Sequence, residues 1–232
     1  MIDLTNRSFK KELLDADNIP FADIQQNMKE LDSVNQLLGG HAITLQGFKA
    51  LVRVNDQPIS ICEIGCGGGD NLRVIYNYAQ KKNIPIRLTG IDIKSSCIQF
   101  AAAQNSDMQA TWICSDYRTA NMEAVMPDII FSSLFCHHFS PQELLGMLRW
   151  MHQHSKLGFF INDLHRHPLA YYSIKLLTGL FSKSYLVKHD APLSVARGFK
   201  KEEWINILND ANISSCNVHW KWAFRHLLVC KK

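Results

Sequence analysis

Ile61-Cys62-Glu63-Ile64-Gly65-Cys66-Gly67-Gly68-Gly69-Asp70-Asn71 reads as an apolar strand running into a glycine-rich turn and then a helix. Glycines permit positive φ and let a ligand approach bare backbone, and the helix that follows offers unpaired N–H groups. A dinucleotide fingerprint, G-x-G-x-x-G, needs a third Gly or Ala where this chain has Asp70. The register that fits is acid-x-Gly-x-Gly-x-Gly, from Glu63 to Gly69. A carboxylate beside such a loop repels a pyrophosphate but can help to anchor a cationic ammonium group.

Outward from this loop, short apolar runs alternate with amphipathic stretches, the pattern of parallel βαβ units. Strands are expected at Ile59–Ile64, Ile86–Ile91, Ala110–Cys114, Asp128–Ser132 and Gly158–Asn162, with helices near 71–82, 95–104 and 141–154. The last of these helices opens with Ser140-Pro141-Gln142-Glu143, a capping box with Pro at the first helical position. Residues 1–50 read as helix and turn: Phe9–Leu14, then Phe21, Ile24, Met28, Leu31, Val34 and Leu38 at helical spacing, stopped by Gly39-Gly40. Beyond 163 the alternation breaks into an aromatic-rich segment, 164–199, with a helical piece around Leu169–Leu180. A helix at 201–211 and a closing antiparallel hairpin, Ile213–Trp220 with Ala223–Cys230, complete the chain.

Two further strand ends carry acids. Asp92 closes Arg87-Leu88-Thr89-Gly90-Ile91-Asp92, and Asp116 follows the third strand in Cys114-Ser115-Asp116-Tyr117. The acid loop followed by these two acids, in chain order on successive strands, resembles class I S-adenosylmethionine-dependent methyltransferases. The resemblance implies an α/β, Rossmann-like fold: a doubly wound seven-stranded mixed sheet with its last strands reversed. It would carry an N-terminal helical cover over 1–50 and a methyltransferase domain over 51–232 with a lid at 164–199. It further implies that S-adenosylmethionine, and its product S-adenosylhomocysteine, lie against Glu63, Gly65, Cys66, Gly67, Gly69, Asp92, Ile93, Asp116, Tyr117 and Leu134. Asp92 would take the ribose hydroxyls, Asp116 the adenine amino group, and Ile93 one face of the ring.

Ligands of open α/β sheets bind beyond the carboxyl ends of the strands, so the fourth strand end should touch the methyl acceptor. It reads Phe131-Ser132-Ser133-Leu134-Phe135-Cys136-His137-His138-Phe139 and resembles small-molecule methyltransferases related to ubiquinone and menaquinone biosynthesis enzymes. The Asn/Asp-Pro-Pro-Tyr/Phe motif of adenine- and glutamine-methylating enzymes is absent, as is the Pro-Cys pair of RNA cytosine enzymes. A phenol of pKa about 10 needs a base, and a histidine of pKa about 6.5 can assist its deprotonation as the reaction proceeds. His138, His165 and His137 are the candidates. His137, His138, His165 and His167 could converge on a metal, but no familiar ligand spacing supports one and none is expected.

Asp163-Leu164-His165-Arg166, the stretch Lys188–Ser194 and Asn35–His41 are similar to a bacterial subgroup associated with polyketide-type phenolic lipids. That resemblance implies O-methylation of a phenolic or quinol-like lipid, with Arg166 and Arg197 as candidates for an acceptor oxygen or carboxylate and His41 as a contributor to the lid. Carbon methylation of a quinone precursor, a cofactor-binding module without catalysis and a nicotinamide oxidoreductase are the rival readings.

Composition sets the outer bounds. The 232 residues are 47% hydrophobic and 20% charged, and 25 basic against 21 acidic residues leave +4 without a basic run, which argues against a nucleic-acid partner. Seven cysteines, at 62, 66, 97, 114, 136, 216 and 230, form no C-x-x-C pair and read as reduced, buried small hydrophobes. No apolar run reaches the ~18 residues of a membrane span, and the N-terminus has no secretion-signal pattern, so a cytoplasmic enzyme with a small aromatic or lipid-like acceptor is expected. The sequence does not fix the oligomeric state.

Overall fold

Seven strands form one mixed sheet in a computed structural model that describes residues 2–53, 57–120 and 126–232. β1 (Ile59–Ile64), β2 (Ile86–Asp92), β3 (Ala110–Cys114), β4 (Ile129–Ser133) and β5 (Gly158–Leu164) are parallel. β6 (Cys216–Lys221) and β7 (Arg225–Lys231) close the sheet antiparallel, in the order β3-β2-β1-β4-β5-β7-β6. This is the doubly wound, seven-stranded mixed α/β sheet implied by the sequence; β7 is the strand that runs against the others, and β6, antiparallel to β7, runs with them. The reversal of order between β1 and β4 places a crevice at their carboxyl ends, where the glycine turn and the His-His turn emerge.

Alternation along the strands builds two cores. Ile61, Ile129, Phe131, Phe160 and Leu227 face helices α2 (Gly40–Leu51) and α3 (Asp70–Lys81), with Phe131 and Phe160 stacked at 4.7 Å. Cys62, Ile64, Ile130, Phe159 and Leu228 face α5 (Pro141–His154) and α8 (Lys201–Asp210). Each fully buried side chain of this size contributes about 1.5–3 kcal/mol, so both faces must stay covered. α4 (Ser95–Gln104) links β2 to β3 and packs against α1 (Phe21–Leu37) through Cys97, Phe100, Ile24 and Met28.

Several details differ from the sequence expectations. Phe9–Leu14 is not a helix. Only a 3-10 turn forms, at Leu13–Asp15, because the Asp190 carboxylate accepts the N–H groups of Leu13 and Leu14 and Arg197 donates to the Lys10 carbonyl, holding the segment as a strap. Gly39-Gly40 ends α1 but also starts α2, because Gly39 adopts φ +74 and reverses the chain so that Ile43, Phe48 and Leu51 reach the sheet. Segment 164–199 holds two helices, α6 (Pro168–Phe181) and α7 (Tyr185–Arg197). The second was hidden by Pro192 in its middle, and Ser184 caps it by accepting the Val187 N–H. The cysteines are not all reduced or all buried: Cys216 and Cys230 form a disulfide, because the β6–β7 register sets them directly opposite, and Cys114 is exposed. Among the described residues no helix is long and apolar enough to cross a membrane.

Candidate active site

The glycine turn is tied to its neighbour by backbone bonds. Gly65 and Cys66 both donate to the Ile91 carbonyl, at 2.8 and 3.0 Å, and Gly67 donates to Asp92 Oδ2 at 3.0 Å. Gly65 sits at φ +70, where a Cβ would run into the Phe135 ring, and Gly69 sits at φ +77, where a Cβ would lie 2.5 Å from Trp112. The loop is therefore shaped by what cannot be added to it. Beneath it Glu63 is buried, and neither of its oxygens has a hydrogen-bond partner among the described residues. Burial, with Asp70 and Asp92 adding to it, pushes the Glu63 carboxyl well above the usual range, although the nearby Asn71 side chain and Leu72 amide oppose the shift. Asp92 is also raised by burial, although the Gly67 and Lys94 amides oppose the shift. An orphaned buried carboxylate waits for a donor or a cation, and this pair fits an ammonium group and vicinal hydroxyls.

The remaining cofactor candidates divide. Ile93 is 68% exposed at the end of β2, free to cover a ring. Asp116 is gripped by Arg118, whose Nε lies 2.9 Å from Oδ1, and that hydrogen bond holds its carboxyl below the usual value. Tyr117 points into the core, edge-on to Trp150 and Phe139. Cys66 is buried among the residues facing α3. Leu134 adopts φ +53, a left-handed conformation disfavoured for its branched side chain, which turns the chain from β4 into the histidine pair.

Beyond that turn lies a cavity of about 340 Å³ enclosed by α1, α6, α7, the ends of β4 and β5 and the β6–β7 turn. Leu31, Val34, Leu38, Leu134, Ile174 and Leu177 give it apolar walls, and Glu12, His137, His138 and Arg225 are prominent among its polar groups. His137 Nδ1 lies 2.8 Å from Asp163 Oδ1, and its Nε2 lies 3.6 Å from Glu12 Oε1. Burial alone would lower the His137 pKa, but the Asp163 and Glu12 carboxylates outweigh it and lift it to about 9. Burial likewise opposes ionisation of Glu12, yet His137, His138 and Ser194 hold its carboxyl below the usual value. His138 places Nδ1 3.3 Å from Asp15 and Nε2 3.6 Å from Glu12. Arg225 is buried, donates through Nη2 to Asn35 Oδ1 at 2.9 Å and leaves Nη1 unpartnered among the described residues. Burial lowers the Arg225 pKa to about 10.

His137 and His138 thus meet at one cavity, and His165 does not join them. It accepts the Trp220 indole N–H at 3.2 Å and faces His226 in a separate, more open depression of about 640 Å³ that also holds His167, Lys200 and Glu202. That depression is larger but is lined by no residue from the end of β4, the neighbour of β1, and contains neither His137 nor His138, so size does not make it the reaction site. Arg166 is fully engaged by Glu203, Gly198, Leu4 and Thr5, and Arg197 by the carbonyls of Lys10, His137 and His138, so neither is available to an acceptor oxygen. His41 pairs with Asp70 at the start of α3 and with Asp32 of α1, not with segment 164–199. Glu12–His137–His138 and Asp32–His41–Asp70 are the described groups whose ligand atoms lie within 4.8 Å of one another and could hold a metal. Glu12, Asp15 and Arg225 escaped the sequence reading: Glu12 simply follows Lys10-Lys11 in a short run, and only the strap that Asp190 captures carries it to the histidines.

Residues 61–158 match a family model described as a methyltransferase domain. Over 124 residues the chain is 31% identical to a non-reducing polyketide synthase, esdpA, of Penicillium shearii, covering 49% of this chain and 5% of that protein. Over 96 residues it is 28% identical to malonyl-[acyl-carrier protein] O-methyltransferase of Anoxybacillus flavithermus, covering 41% of this chain and 36% of that enzyme. The chain therefore spans well under half the length of either curated relative. Among solved structures, the plantazolicin methyltransferase BpumL in complex with SAH superposes with a TM-score of 0.64 at 18% identity, over 91% of this chain and 89% of that one. PigF with SAH superposes at 0.60 and 14% identity, over 93% and 63%. At such identities the likeness is one of fold.

Proposed function

Because the chain carries a methyltransferase domain over residues 61–158, we propose that it transfers a methyl group from S-adenosylmethionine to an oxygen of a small, apolar, phenol- or quinol-like acceptor. One juxtaposition carries this reading: the orphaned Glu63 carboxylate under the glycine turn, and next along the sheet an apolar cavity walled by two histidines and Glu12. When bound, the donor supplies an electrophilic methyl group for in-line displacement and leaves as S-adenosylhomocysteine. Glu63 would hold its ammonium group, Asp92 its ribose hydroxyls and Asp116 its adenine amino group. Ile93 would cover the ring, and Gly65, Cys66, Gly67, Gly69 and Leu134 would shape the walls. Tyr117, with its ring in the core, fixes the turn that presents Asp116.

The chain's own residues manage the acceptor proton. His138 is the base: with Nδ1 turned to Asp15, Nε2 would take the hydroxyl proton, and Glu12, whose Oε2 lies 3.6 Å from Nε2, would stabilise the imidazolium as it forms. His137, lifted to about 9 by Asp163 and Glu12, is held between those two carboxylates and fixes Glu12 beside His138. Apolar walls from α1 and α6 exclude water and orient the ring. The likeness to part of a polyketide synthase favours a polyketide-derived ring as acceptor, and action in the cytoplasm belongs to the same reading. Carbon methylation would use the same base and cavity, and product analysis separates the two. Calorimetry should detect S-adenosylhomocysteine binding, and a panel of alkylated phenols and quinols should yield O-methyl products. No binding overturns the reading, and a carbon-methylated product replaces oxygen as the target.

A further inference from the structure

Helix α6 is apolar on two sides. Ala170, Ser173, Ile174 and Leu177 line the cavity, while Leu169, Tyr172, Leu176 and Leu180 recur at three- and four-residue spacing on an exposed stripe that ends at Phe181. Leu180 is 68% exposed and Phe181 78%. Trp220 and Trp222, at the β6–β7 turn, are exposed as well, Trp222 to 74%, and both also line the cavity. Leu177 does the same from α6, so the cavity and the exposed apolar surface share walls. Contiguous exposed apolar surface next to a binding cavity marks an interaction site.

Charge indicates what covers it. Residues 164–189 contain no Asp or Glu, and Lys175, Lys183 and Lys188 are all exposed. Of the nearby acids, Glu30 accepts from Ser182, Lys183 and Ser184, Asp23 accepts from the Tyr185 hydroxyl at 3.4 Å, and Asp3 and Glu202 lie beside Tyr172 and Trp220 in the open depression together with Lys200 and Lys201. A second copy of the chain docked on the same stripe would set these lysines against each other with no acid in the segment to pair them. An apolar stripe flanked by lysines and by exposed tryptophans matches a helix lying in the interface of an anionic bilayer, and no described helix is long and apolar enough to span one.

We propose that the α6 stripe and the Trp220/Trp222 turn dock on an anionic lipid surface, so that a lipid-like acceptor enters the cavity from the membrane. The route of the acceptor rests on the function proposed above, whereas the docking does not. Flotation of the full chain with phosphatidylcholine vesicles, with and without phosphatidylglycerol, tests it. Binding is expected to the vesicles that contain phosphatidylglycerol, weakened about fivefold for each of Lys175→Gln and Lys183→Gln. Leu176→Glu combined with Leu180→Glu should abolish it. These side chains are exposed and outside the cavity, so the double variant should keep its circular dichroism, its S-adenosylhomocysteine binding and its turnover of a short, water-soluble phenol. No binding to the anionic vesicles, or binding indifferent to the double variant, overturns the proposal. A wild-type dimer in sedimentation that the double variant dissolves, without vesicle binding, overturns it in favour of self-association. Vesicle binding by a chain that does not bind S-adenosylhomocysteine supports the docking and overturns only the methyl-transfer reading.

Discussion

Nδ1 of His137 lies 2.8 Å from Oδ1 of Asp163, and both side chains are buried. With Glu12 on the other side of the ring, this pair lifts the folded-state His137 pKa from 6.5 to about 9. A raised histidine pKa stabilises the fold fully below the unfolded value and loses that contribution as pH rises through the folded one. Stability should therefore fall between about pH 6.5 and pH 9, by at most roughly 3 kcal/mol. Urea unfolding across that interval checks it. His137→Gln, which removes the titration, should be less stable at pH 6 and show a flatter profile, and a wild-type profile without decline would refute the assignment.

The two cavity histidines should separate kinetically. His138→Gln is expected to lower kcat by about 10²–10⁴ with little change in KM, the usual scale for loss of a general base. His165→Gln, in the other depression, should stay within about threefold of wild type, the mark of a residue that touches neither reactant. If His165→Gln gives the larger loss, the choice of cavity is wrong.

Gly65 tests the glycine turn. A Cβ there meets the Phe135 ring at a backbone φ of +70, so Gly65→Ala combines steric overlap with a left-handed alanine and should cost about 1–3 kcal/mol. S-adenosylhomocysteine affinity should fall with it. Phe135→Ala in the same chain removes the overlap but leaves the φ penalty, so partial recovery is expected in a double-mutant cycle. Full additivity of the two substitutions would show that the contact does not set the loop's shape.

What the sequence made legible was local. β1 through the start of α3 can be read from eleven consecutive residues, because strand, turn and helix signals follow one another and the loop's chemistry is carried by its own backbone. The five parallel strands are legible for a related reason: strands covered on both faces are apolar along their length. The apolar cavity is assembled from residues as distant as Glu12, His138 and Arg225, joined by the strap and by the β5–β7 register that sets Leu164 opposite Arg225. No periodicity encodes such a meeting. α7 was masked by Pro192, whose missing N–H a packed helix tolerates, and α2 by a glycine pair that serves as both stop and start.

Glu63 offers the sharpest test of the cofactor reading, because its two roles oppose each other. Burial makes its ionised form costly, more than the nearby Asn71 and Leu72 donors offset, so a carboxyl with a raised folded-state pKa destabilises the ligand-free chain increasingly as pH rises above its unfolded value. Glu63→Gln removes that charge and keeps the shape. The ligand-free variant should unfold at the same temperature as wild type or higher at pH 7, with weaker pH dependence. If the carboxylate is held for an ammonium group, the same substitution should weaken S-adenosylhomocysteine by at least about tenfold, the scale of one lost charge-assisted hydrogen bond of about 1.5–3 kcal/mol. Thermal shift with and without ligand reads both effects at once. A variant stabilised without ligand and unchanged in affinity would show that Glu63 is merely tolerated; one destabilised without ligand would show that its oxygens are paired in the folded chain.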